Sequence, residues 1–373
     1  MVVLVSLIPV YSQANHNNLI EVKLDSKIMG EVRTIIVSLP NGYENEGNQR
    51  YPVQYILDGR ANIEHTRATS NFLSEFSEMP QTIIVGITNE NRVRDMTPSV
   101  DLSRNKDSGN ANRFLDFIEV EVIKYIEANY RTASYRTIAG HSLGGLAVTH
   151  SFIRKPELYD AYFVFSGTFT WNDGEHLTRL EQSLKMNQSK NAFFYMNMGN
   201  EKRKAKPMFL KTKTLFEKGG GPKLAFHSAI YPQETHGTTP LKGQLEVYRI
   251  LFGGWRLDKY EVEKDTAYIE KFIQKQSTKY GFDVIVTESI FYQLTNYFIR
   301  KKMFKEALEV SKIRLKYYPS SHYAFRSMAD AEFASGDTPS AIQNINKAIS
   351  IAKKSNHENL NRYIEKLKSY SKK

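Results

Sequence analysis

RTIAGHSLGGLA (136–147) decides how the rest of the chain is read. Arg136–Ala139 reads as a strand, and Leu143 to Ile153 carries the apolar spacing of a helix. Between them, Gly140-His141-Ser142-Leu143-Gly144 has the form G-x-S-x-G, with Gly145 and Ala147 in the first turn of the helix. In that context the motif predicts a sharp strand-to-helix turn that lifts the Ser142 hydroxyl above the carboxyl end of a sheet. The flanking residues are small because strand and helix approach closely there. The Leu143 N–H, at the helix start, is placed to stabilise a developing oxyanion.

Outward from this turn the chain alternates strands and helices. EVRTIIVSLP (31–40), PVQYILDG (52–59), TIIVGIT (82–88), AYFVFSG (161–167), AFFYMNMG (192–199) and LAFHSAIYP (224–232) read as strands. Several are apolar throughout, as strands covered on both faces are. Residues 111–129 read as a helix, with Phe114, Phe117, Ile118, Val122, Ile123 and Ile126 at helical spacing. The alternation predicts an α/β fold, a mostly parallel sheet with helices on both faces.

A serine hydroxyl is a weak nucleophile until a base takes its proton. The chain order for this kind of turn is serine, acid, histidine. Of nine histidines, His236 in QETHGTTP (233–240) lies downstream in a polar loop between a strand and a helix, and it is the candidate base. Glu201 is the carboxylate at the end of the strand that closes at Gly199, and it is the candidate acid, with Asp173 and Glu234 as alternatives. A second oxyanion donor is expected from the turn Asp58-Gly59-Arg60, as the Arg60 backbone N–H.

The chain has 373 residues, which suggests two domains. It has no cysteine, so disulfides, thiolate zinc sites and cysteine nucleophiles are excluded. No metal-ligand spacing occurs, and no cofactor is expected. MVVLVSLIPV (1–10) followed by Ser12-Gln13-Ala14 predicts a signal peptide over residues 1–14 and a periplasmic or secreted protein, although no Lys or Arg precedes Lys23. The catalytic region is expected over 20–270.

From about residue 285 the sequence reads as helix alone. Phe291 and Phe325, Leu294 and Met328, and Ala307 and Ala341 each stand 34 residues apart, the period of tetratricopeptide repeats. An all-α, tetratricopeptide-like domain is therefore expected over 285–373. Two repeats bury too little on their own, so a third helix pair or the catalytic domain is expected to pack on them, with residues 355–369 as a cap. Residues 271–373 hold 19 Lys/Arg against 9 Asp/Glu, a net +10 of the chain's +11. Such a tail suits a protein partner or an anionic surface, and no nucleic-acid motif accompanies it.

YPVQYILDG (51–59), IIVGI (83–87), NRVRDMTP (91–98), GHSLGGLA (140–147), KPELYDAYFVFSG (155–167), Trp171 and ETHGTTP (234–240) together resemble the esterase D and enterochelin-esterase-like family of α/β-hydrolases. The resemblance covers roughly residues 20–255. It implies a serine carboxylic-ester hydrolase working through an acyl-serine on Ser142, with Glu201 and His236 completing the triad. It also implies Leu143 and Arg60 as oxyanion donors. Arg92 and Asp95 match a segment at the mouth of the active site, and Trp171 matches an aromatic that walls the substrate pocket. The substrate would be a small-molecule ester, of a siderophore or of feruloyl or acetyl type. The sequence departs from its relatives at Ser166-Gly167-Thr168-Phe169-Thr170, where a Ser-Pro pair and two tryptophans are usual. An acyltransferase with the same triad, or a repeat-based binding protein with a vestigial one, are the alternatives.

Overall fold

The computed structural model describes residues 19–43, 49–186 and 191–371, so the expected leader over 1–14 lies outside the described residues. Apart from two short loop pieces, one compact unit runs to Gly253 and a second takes up the chain from Gly254.

The first unit is built on an eight-stranded sheet. Its elements are β1 (Leu19–Ser26), β2 (Glu31–Ser38), β3 (Tyr51–Leu57), α1 (Gly59–Glu75), β4 (Ile83–Ile87) and α2 (Arg92–Met96). A long helix follows in three pieces, α3 (Ala111–Phe117), a π turn (Ile118–Val122) and α4 (Ile123–Asn129). After it come β5 (Thr132–His141), α5 (Leu143–Arg154), β6 (Ala161–Phe165), α6 (His176–Met186), β7 (Ala192–Met198), α7 (Ala205–Gly219), β8 (Leu224–Ile230) and α8 (Thr239–Leu251). The strand order is β1-β2-β4-β3-β5-β6-β7-β8. The first two pairings are antiparallel and every later one is parallel.

Every residue of β3, β4, β6 and β7 is buried, which explains their mostly apolar sequences; the buried Gln54 of β3 and Asn197 of β7 are hydrogen-bonded to residues of α8. The long helix was expected as one regular piece. Its buried residues Phe114, Ile118, Val122 and Ile126 recur every four residues, longer than the 3.6-residue turn, and the π turn takes up the excess. Chain connections leave β3 and β5 in opposite directions across the sheet. The crevice at the carboxyl ends of these two neighbours is where α/β sheets bind ligands. Asp58 follows β3 there, and Ser142 follows β5.

The second unit is helical: α9 (Lys259–Lys264), α10 (Tyr268–Tyr280), α11 (Glu288–Arg300), α12 (Phe304–Tyr317), α13 (His322–Ser335), α14 (Thr338–Lys354) and α15 (Leu360–Tyr370). The starts of α11 and α13, and those of α12 and α14, are each 34 residues apart. Val262 of α9 and Ile269, Phe272 and Ile273 of α10 share one core with Phe291, Leu294, Phe298, Ala307 and Val310. This extra helix pair begins well before residue 285. Tyr363 and Tyr370 of α15 close a second core with Ala341, Ile345 and Ala348. Among the described residues, no helix is long and apolar enough to cross a membrane.

Candidate active site

Ser142 stands between β5 and α5 with φ 59° and ψ −117°, a left-handed conformation that costs a non-glycine residue about 1–3 kcal/mol. The turn closes only because its neighbours lack side chains. A Cβ on Gly140 would lie 2.4 Å from the Gly144 carbonyl carbon, and one on Gly145 would lie 2.9 Å from Gly167 Cα. The Ser142 N–H donates to the Phe165 carbonyl, and its own carbonyl accepts from Thr168 and Leu146, so the strained turn is held from both sides. Ser142 Oγ is 3.1 Å from Thr168 Oγ1. Leu143 opens α5, where the first N–H groups have no acceptor within the helix.

His236 and Glu201 meet. His236 Nδ1 lies 3.0 Å from Glu201 Oε1, and the imidazole is 48% exposed while the carboxylate is 15% exposed. Their loops are tied by the Asn200 N–H donating to the Glu234 carbonyl. Burial pushes the Glu201 carboxyl up. The nearby Ser166 hydroxyl, the Glu201 backbone N–H and His236 outweigh that and hold it below the ordinary glutamate value of 4.5. Of the two alternative acids, Asp173 is exposed and lies 3.9 Å from Lys204 Nζ.

On the other side of the crevice, Asp58 also has positive φ, at 55°, and α1 begins one residue later, which puts Arg60 in its first turn. The Arg60 side chain pairs with Glu21 at 2.8 Å in solvent.

The three residues expected at the substrate mouth each have partners within the protein, and of them Arg92 lies at the crevice. Arg92 is bidentate to Asp58, with Nε at 2.7 Å and Nη2 at 2.9 Å, and Nη2 also donates to the His141 carbonyl at 3.1 Å. Asp95 is fully buried and accepts from Arg33 at 2.7 Å and Arg94 at 2.6 Å, so it is an internal ion-pair partner rather than a lining group. Trp171 is 3% exposed, its indole N–H donates to Ser99, and the Arg104 guanidinium covers its ring at 5.3 Å. Sequence reasoning passed over Thr168, His141 and Asp58, whose positions depend on the folded turn.

A family model described as "Putative esterase" matches residues 26–238, more than half of the chain. The chain belongs to this esterase family. The siderophore triacetylfusarinine C esterase of Aspergillus fumigatus is 31% identical to this chain over 157 residues, 38% of this chain and 53% of that protein. The ferri-bacillibactin esterase BesA of Bacillus subtilis is 29% identical over 162 residues, again 38% of this chain and 56% of the relative. The chain thus spans about half the length of these two curated relatives. The crystal structure of an IroE-like serine hydrolase from Shewanella oneidensis superposes with TM-score 0.71 at 28% identity, covering 80% of this chain and 99% of that one. The sheet order and the turn at Ser142 are those of the α/β-hydrolase fold.

Proposed function

We propose that the esterase hydrolyses small carboxylic esters through an acyl-serine intermediate on Ser142, and that the ester is of siderophore type. The observation that carries this reading is the His236–Glu201 pair at 3.0 Å, in the loops that follow β8 and β7 of the sheet that presents the strained Ser142. With Nδ1 held by Glu201, the neutral imidazole keeps Nε2 free to take a proton. Ser142 Oγ attacks the ester carbonyl carbon and its proton passes to Nε2. The Leu143 and Arg60 N–H groups stabilise the oxyanion. The alkoxide leaves with the proton from His236, breaking the ester bond. Water, deprotonated by the same nitrogen, then attacks the acyl-serine; the acyl–Oγ bond breaks, Ser142 Oγ takes the proton back from Nε2, and the carboxylic acid is released. One of the two relatives above is named a siderophore esterase and the other a ferri-bacillibactin esterase, which supports the substrate class.

Hydrolysis of a ferric siderophore ester, a feruloyl ester and p-nitrophenyl acetate by the full chain tests the proposal. The siderophore ester is expected to have the highest kcat/KM. No hydrolysis of any of the three would contradict the activity, and a preference for the feruloyl ester would contradict the substrate class.

Glu201→Gln is expected to lower kcat about a hundredfold at neutral pH, in the range for lost support of a general base. Its stability effect has a definite sign. A carboxyl lowered on folding contributes fully above pH 4.5 and loses that contribution as pH falls from 4.5 through the lowered value. The melting-temperature gap between wild type and variant should therefore be flat above pH 4.5 and close below it. A gap that widens on acidification would contradict the assignment.

A further inference from the structure

His141 takes no part in the steps above, yet it is bonded on both sides of the site. Its carbonyl accepts from Arg92, whose guanidinium also holds Asp58 at the oxyanion turn. Its ring points the other way. Nε2 lies 2.8 Å from the His236 carbonyl, and the two imidazole centroids are 4.6 Å apart. A carbonyl can only accept, so His141 Nε2 carries a hydrogen and donates it.

We propose that His141 is a positioning residue that ties the backbone of the His236 loop to the strand carrying Ser142, so that the base keeps its aim. This rests on the reading of His236 as the base. Among the described residues the His236 carbonyl also accepts from Thr239 Oγ1 at 3.1 Å, but Thr239 sits at the start of α8, beyond the same loop. His141 alone of these two comes from the residue next to Ser142, and it therefore sets the distance between base and nucleophile directly. Misplacing a catalytic group by about 1 Å can cost on the order of a hundredfold in rate.

The state of the ring fits the role. Burial lowers its pKa, and the neighbouring His236 and Arg92 push the same way, against the His236 carbonyl and Asp58. A neutral His141 keeps its Nε2–H as a donor. It also sets no second positive charge beside His236 while that imidazole holds the serine proton.

His141→Phe keeps a ring but removes the donor, and His141→Gln restores an amide N–H at similar reach. On p-nitrophenyl acetate, the Phe variant is expected to lose about tenfold to a hundredfold in kcat, with KM and melting temperature near wild type. The Gln variant should recover most of that loss. The near-isosteric pair His141→Gln and His141→Met makes the same comparison without a ring, should the Phe variant melt early. A donor-free variant with wild-type kcat, a Gln variant no better than the donor-free ones, or a loss confined to KM would each overturn the proposal. Wild type and Ser142→Ala are run alongside. An inactive wild type or an active Ser142→Ala would strike the proposed function itself, whereas normal controls with an active Phe variant would strike only the positioning role.

Discussion

Ser142→Ala is expected to lower turnover by about a millionfold, the scale at which removing the nucleophile of a serine hydrolase leaves only binding and oxyanion stabilisation. The fold should be unaffected. Alanine keeps the Cβ that already occupies the left-handed turn, so the backbone strain at φ 59° is unchanged. The Oγ contact with Thr168 at 3.1 Å is the loss, worth about 1 kcal/mol. A melting curve and single-turnover kinetics on p-nitrophenyl acetate check both halves. A variant within about tenfold of wild type would end the acyl-serine account.

Asp95→Ala should act on stability instead. Arg33 and Asp95 are both fully buried and 2.7 Å apart. The Arg33 guanidinium lies 5.3 Å from the Phe114 ring centroid and 5.6 Å from that of Phe117, with Thr88 and Glu31 as its other partners. Removing the carboxylate leaves a buried cation with one partly exposed counter-charge, which costs about 3–5 kcal/mol. For a domain of this size that is a fall of roughly 10 °C in melting temperature. The alternative role makes the opposite forecast: a residue lining the substrate mouth would raise KM and leave the melting temperature alone. Thermal unfolding with steady-state kinetics on the one variant separates them.

What the sequence disclosed follows from how local each signal is. The turn at Ser142 was legible because its glycines answer a steric demand within six residues, Gly140 against Gly144. β3, β4, β6 and β7 were legible because burial on both faces leaves a mostly apolar run. β1 was not read as a strand. It lies at the sheet edge, LIEVKLDS mixes charged and apolar residues, and only its pairing with β2 defines it. Arg92, Asp95 and Trp171 were assigned from a motif, and a motif carries no direction for a side chain. Their partners Asp58, Arg33 and Ser99 are 34 to 72 residues away in sequence and are brought in by the sheet. His141 hides for the same reason, since nothing before the turn is folded says that its ring reaches the His236 loop. The helical unit shows the reverse: a 34-residue spacing of Phe, Leu and Ala positions needs no long-range contact to be seen, and the helix starts repeat it.

The central claim is a covalent bond to one oxygen. Wild-type protein quenched in acid during turnover of a slow feruloyl or siderophore ester, then weighed intact and mapped by peptide mass spectrometry, tests it directly. An added acyl mass is expected on the peptide containing Ser142, gone after full turnover and never formed in Ser142→Ala. An acyl group on another residue, or complete hydrolysis by an enzyme that reacts with a fluorophosphonate at Ser142 without losing activity, would contradict it.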